Sequence, residues 1–220
     1  MLKKIVIIGI VIVVVGVIVM FAMPWGEYES NLEKTELEKT VDYDETAEII
    51  APDISKGIYT VDSKVNNAAE ILFMTSGLKD TKGGFDEFKI LFDVAEDFKQ
   101  STLNVEIQTT TINTGNTMRD EHLLEEDFFN AAEFPIISYV AKAVDYGDTS
   151  YVAKGSLTLN GTTKELDVPF FYLGSGDKDG VAFEAFEGGV VFDRTEYGQE
   201  ESSGAGNEVT LSFYCELEKQ

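Results

Sequence analysis

Residues Gly155–Pro169 read Gly155-Ser-Leu-Thr-Leu-Asn160-Gly161-Thr-Thr-Lys-Glu-Leu-Asp-Val-Pro169, two alternating runs joined by Asn-Gly. Alternation of apolar and polar residues marks a strand with one buried and one wet face. Asn-Gly between two such runs signals a hairpin, because both central residues of a type I′ turn need positive φ. The same period recurs along the chain. Phe88, Ile90, Phe92 and Val94 alternate with Lys89, Leu91 and Asp93, and Leu103, Val105 and Ile107 with Asn104, Glu106 and Gln108. Leu166, Val168, Phe170 and Tyr172 share a face, as do Val209, Leu211, Phe213, Cys215 and Leu217. Gly174–Gly180 reads as a further, looser turn. With about nine strand-like segments and no long helical run after residue 56, the chain is expected to be all-β, as an antiparallel closed barrel or a sandwich.

One insert interrupts the pattern. Thr114–Pro135 contains Thr117-Met-Arg-Asp120, which fits a helix capping box, and Asp127 ahead of Phe128 and Phe129. Short helices there would place both phenylalanines against one end of the barrel.

Composition narrows the function classes. Across 220 residues, 40 acidic against 17 basic side chains give a net charge of −23. Such a surface repels nucleic acid, whose binding needs a basic stripe. The 44% hydrophobic and 11% aromatic content supplies a core, so the acidity reads as solubility rather than disorder. Cys215 is the single cysteine and sits on an apolar strand face, which suits a small buried hydrophobe. His122 is the single histidine and has no nucleophile in an elbow or triad context, so no catalytic residue is assigned. No metal ligand set and no cofactor are assigned either. Asp177-Lys-Asp179-Gly180 opens like a calcium loop but lacks the later glutamate.

The N-terminus has a different character. Ile5–Met23 runs 19 residues without a charge behind Lys3 and Lys4. A helix of that length spans roughly 28 Å at about 1.5 Å per residue, close to the hydrocarbon core of a bilayer. The competing reading is a cleaved signal peptide, whose apolar core is shorter and ends in a small-x-small site; here Met20 occupies the −3 position. Residues 1–24 are therefore expected to be a retained anchor with a cytoplasmic N-terminus and the rest periplasmic or extracellular. Residues 25–55 are expected to be a flexible linker, since Glu27–Glu48 carries nine acidic and two basic residues and would extend by self-repulsion. Residues 56–220 form the expected barrel domain.

Three stretches carry a family resemblance. Asn113–Tyr139 includes Asn113-Thr-Gly-Asn-Thr-Met-Arg-Asp120 and Phe134-Pro-Ile-Ile-Ser-Tyr139, Gly155–Pro169 is quoted above, and Asp193-Arg-Thr-Glu-Tyr-Gly198 precedes Val209-Thr-Leu-Ser-Phe213. In this order and spacing they resemble the YceI-like family, over about residues 56–220. The resemblance implies a lipocalin-like barrel that takes a polyisoprenoid or similar long-chain amphiphile (a quinone or fatty-acid derivative) into an apolar tunnel without catalysis. On that reading Phe88, Phe92, Ile107, Tyr139, Phe170, Tyr172 and Phe213 are wall residues, with Arg119 or Arg194 at the head group. From the residues alone, a salt bridge to a neighbouring acid is the first expectation for Arg194 in so acidic a chain, with head-group binding second, and Arg119 divides in the same way. An eight-stranded barrel is also the size at which the interior either fills or holds one ligand, so a filled structural domain on a stalk stands as the alternative. The partners implied are a lipid, and a membrane through the N-terminal helix. The oligomeric state is not encoded in these features.

Overall fold

A computed structural model of the chain describes residues 28–41, 43, 49–77, 80–201 and 205–220. The expected anchor Ile5–Met23 lies outside the described residues, and among those described no helix is long and apolar enough to cross a membrane. The architecture is all-β, with strands β1 (Lys39–Thr40), β2 (Gly57–Asp62), β3 (Ala69–Gly77), β4 (Thr81–Phe85), β5 (Phe88–Val94), β6 (Thr102–Gln108) and β7 (Ile112–Asn113). After the short helix α1 (Thr117–Leu123) come β8 (Ile136–Tyr146), β9 (Tyr151–Leu159), β10 (Thr162–Lys178), β11 (Val181–Asp193) and β12 (Ala205–Lys219).

Pairing closes the sheet. Strands β10, β9, β8, β6, β5, β2, β12 and β11 form a ring of antiparallel neighbours, because β11 pairs both β12 and β10. Strand β12 divides its other edge: Glu218 and Lys219 pair with β2, while Ala205–Cys215 pairs with β3, from which β4 and β7 continue. The alternation read from sequence sets the faces. Phe88, Ile90, Phe92 and Val94 are buried and the residues between them exposed. The Asn160–Gly161 hairpin forms as expected, at φ 49° and 69°, between β9 and β10.

Two turns differ from expectation. Gly174–Gly180 is not a loose turn, since β10 runs on to Lys178 and turns tightly at Asp179 and Gly180, both with positive φ. Gly174 instead marks a bulge, where the register against β11 shifts. In the insert, Thr117 is the first helical residue and not the cap; Asn116 caps, accepting from the Arg119 amide at 3.1 Å. The Asp120 carboxylate reaches back to the Thr114 amide and hydroxyl, and Asp127 starts turns and no second helix.

The segment expected as a free tether lies against the barrel over Tyr28–Val41. Its path crosses the outer wall. Tyr28 sits over Gly84, the Glu33 amide donates to Asn67 O at 2.9 Å, and Lys34 Nζ lies 3.9 Å from the Tyr214 ring centroid. Thr35 donates its amide and hydroxyl to the Glu216 carboxylate at 2.6 and 2.7 Å, and Tyr214 donates to the same group at 2.9 Å. Lys39 and Thr40 then pair with Ser175 and Gly174, taking the β10 edge that β9 leaves beyond Phe170. A Cβ at Gly174 would lie 1.9 Å from Lys39 O, so this approach requires glycine. Composition concealed the docking because the acids and the contacts occupy different faces. Glu29, Glu33, Glu36 and Glu38 are exposed, while Tyr28, Leu32, Thr35 and Leu37 are partly buried. Beneath this strap the outward residues Leu72, Met74, Phe183, Ala185 and Tyr214 are buried, and Glu216 is only 2% exposed. Burial pushes the Tyr28 phenol up to about 12, with Glu70 and Asp86 adding to the rise.

Thr35→Val should cost about 1.5 kcal/mol in denaturant melts, since a buried carboxylate loses a hydroxyl donor. The same variant should be cut by trypsin at Lys39 faster than the parent. Unchanged stability together with unchanged cleavage would mean that this contact does not hold the strap.

Candidate functional site

The barrel interior is hollow toward one end. A cavity of about 350 Å³ is bounded by inward residues of the wall: Ile90, Phe92, Leu103, Val105, Ile107, Leu157, Val190, Leu211 and Phe213 among them. That volume falls within the range of small-molecule sites. The mouth lies where β3 meets β4, where β9 meets β10 and where β11 leads to β12. The insert folds over it, so that Leu123, Phe128 and Phe129 line the cavity from above. Phe129 meets Phe85 edge-on at 6.0 Å, and Asn160 Nδ2 donates to Phe128 O, tying the insert to the β9–β10 hairpin.

Polar groups gather at the mouth. Arg119, His122, Arg194 and Gln199 all line the cavity there, with Thr75 and Thr81. Arg194 is 3% exposed and stands at the start of a 3-10 turn, Arg194–Tyr197. The expected salt bridge does not form among the described residues. Its guanidinium donates to three carbonyls, Gly206 O at 2.9 Å, Glu200 O at 2.6 Å and Ala205 O at 3.3 Å, and lies 5.5 Å from the Phe128 ring centroid. Burial lowers its pKa from the ordinary value, opposed by the fields of Asp193 and Glu201. Arg119 donates to the Thr114 hydroxyl and carbonyl, both at 2.8 Å. These are the only arginines in the sequence, and among the described residues neither is ion-paired, whereas Lys64, Lys89, Lys99, Lys154 and Lys164 each hold a carboxylate. His122 Nε2 lies 3.3 Å from Asp127 and its ring meets Phe128 edge-on.

The opposite end is filled with rings. Phe92 (β5), Phe170 (β10) and Phe186 (β11) meet in the interior, with centroids 5.6, 6.1 and 6.4 Å apart. Each is backed by another ring nearer the closed end: Phe98 behind Phe92 at 5.9 Å, Tyr151 behind Phe170 at 5.5 Å and Tyr172 behind Phe186 at 5.4 Å. Tyr172 donates to the Glu184 carboxylate at 2.6 Å, and burial raises the pKa of both groups.

Of the residues singled out from sequence, Phe92, Ile107, Arg119, Tyr139, Phe170, Arg194 and Phe213 line one cavity. Phe88 and Tyr172 do not, although both are buried; Tyr172 lies below the ring cluster. Tyr139 is a wall residue with its hydroxyl pinned at 2.9 and 3.0 Å to Ala153 O and Leu166 O, and burial raises its pKa. Cys215 also lines the cavity and is buried, which pushes its thiol pKa up and makes it inert. Phe186 escaped the sequence reading because Phe183-Glu-Ala-Phe186-Glu-Gly-Gly189 mixes both faces; its placement follows from the pairing of β11 with β12, which sets Phe186 opposite Cys215.

Known proteins share this architecture. Residues 59–217 match the model of the YceI-like domain. A UPF0312 protein from Shewanella denitrificans is 32% identical over 169 residues, covering 74% of this chain and 87% of that one. Among solved structures, the Campylobacter jejuni YCEI protein superposes with a TM-score of 0.58 at 22% identity, covering 66% of this chain and 88% of that one. A polyisoprenoid binding domain from Saccharophagus degradans superposes with a TM-score of 0.55 at 12% identity, covering 76% of this chain and all of that one. At those identities the two structures speak to the fold alone. The family model spans well over half of the chain, and the chain belongs to the YceI-like family.

Proposed function

We propose that this barrel binds a long-chain amphiphile, for storage or transfer and without catalysis. The observation that carries the reading is the cavity: an apolar interior open toward a mouth that holds two arginines with no carboxylate partner among the described residues. Desolvating a hydrocarbon chain there contributes about 0.8 kcal/mol per methylene, against the cost of ordering the chain. Each arginine keeps N–H donors beyond those bound to carbonyls or to the Thr114 hydroxyl, and these suit an acceptor-rich head such as a carboxylate, a phosphate or a quinone oxygen. The binding named for the Saccharophagus degradans neighbour supports an isoprenoid as one chain type. Further, we propose that Ile5–Met23 anchors the protein in a membrane with the barrel periplasmic or extracellular; the support is the length and lack of charge of that run.

Native mass spectrometry of the full chain, purified under mild conditions, should show a mass increment that disappears on organic extraction. Delipidated protein that also takes up no added isoprenoid alcohol or fatty acid would sink the carrier reading. For the anchor, the expected result is protein that stays with the membrane pellet after alkaline carbonate washing, with its N-terminus intact. A soluble mature form beginning near Met23 would rule it out.

The hollow and filled halves respond differently to added bulk. Leu211→Trp places its ring in open cavity, so it should block uptake at a cost of about 1 kcal/mol or less. Phe92→Trp overpacks the ring cluster and should cost about 1–3 kcal/mol. Paired denaturant melts and uptake assays separate the two. Equal destabilisation by both would argue that the upper half is packed as tightly as the lower.

A further inference from the structure

Resting on the carrier reading, we infer that the Phe92–Phe170–Phe186 cluster is the floor of the cavity and sets the length of hydrocarbon this barrel accepts. The three side chains come from separate strands and meet edge to face at interplanar angles of 88°, 84° and 61°, closing the interior between them. All three also line the cavity, so their upper faces are what a descending chain would touch. Each ring is supported from beneath by Phe98, Tyr151 or Tyr172, which leaves no single side chain to swing aside and open a passage to the far end.

Register converts the floor into a depth. At the mouth Val209 is opposite Thr75, and at the floor Cys215 is opposite Phe186. The six residue steps from Val209 to Cys215 on β12 cover about 20 Å of strand, or roughly 15 Å along the axis of a barrel whose strands tilt by about 40°. A backbone of carbon–carbon bonds advances about 1.2 Å per bond when extended, so the straight channel takes about a dozen carbons. The methylene gain should therefore stop at that length, and further carbons remain outside the mouth.

The test measures affinity for a homologous series, from octanoate to stearate, using the delipidated full-length chain held in amphipol. Affinity should rise about fourfold per added methylene up to about a dozen carbons and then level off. Phe186→Ala should move the break to longer chains by about three carbons, roughly the depth of one ring. Phe186→Leu, a milder change that preserves more of the packing, should move it in the same direction by less. Val191→Ala, on the same strand but facing outward and away from the cavity, should leave the break where it is. An affinity that climbs without a break to stearate in the parent would overturn the floor, as would a break that stays fixed in both Phe186 variants while thermal melts show them folded. A parent that binds no member of the series and no isoprenoid alcohol would instead remove the carrier reading itself.

Discussion

Everything in this molecule depends on how β12 is satisfied along both edges. One edge pairs with β11 from Phe183–Glu218 to Asp193–Glu208, and the other is shared between β3 and β2. Without that shared edge the sheet would end in unpaired amides and carbonyls and stay open, as a template for other chains. Closure turns the apolar face of every strand inward at once. The interior of an eight-stranded ring is then wide enough to leave space where side chains are modest and narrow enough to be plugged where they are large.

The two halves use that geometry in opposite ways. Toward the mouth aliphatic residues of the wall alternate with strand rings such as Phe73, Phe192 and Phe213, and the insert adds Phe128 and Phe129 from above, leaving open space between them. Toward the closed end Phe92, Phe170 and Phe186 reach the axis and meet. Polarity follows the same division. The mouth holds guanidinium groups bound to carbonyls, while the closed end holds a half-buried carboxyl, Glu184, capped by the Tyr172 hydroxyl. A head group and its tail would thus meet different chemistry, although both ends are built from one continuous sheet.

Much of the fold was legible because strand alternation is a local property. The inward sets on β5, β6, β10 and β12, and the Asn160–Gly161 turn, need only neighbouring residues for their reading. What could not be read was long-range. Glu216 looks like an exposed position on an alternating strand, yet it is buried because Thr35 binds it across 181 residues of sequence. The acidic N-terminal stretch looks like a free tether because composition counts charges without recording which way they point. Tyr172 looks like a wall residue because face can be read from parity, whereas height in the barrel depends on register. Arg194 looks like one half of a salt bridge in so acidic a chain, but its partners are carbonyls of the segment that follows it.

The Thr35–Glu216 contact also constrains when this protein is finished. The strap is among the first of the described segments to be synthesised, and β12, which it clasps, is the last. Chain closure over such a separation is entropically slow and waits for the intervening strands to find their neighbours. Until β12 emerges the strap lacks its Tyr214 and Glu216 partners, although Asn67, Gly84, Gly174 and Ser175 are already made. A ribosome stalled before residue 205 would hold a chain lacking the closing strand of the ring, the part most in need of a chaperone.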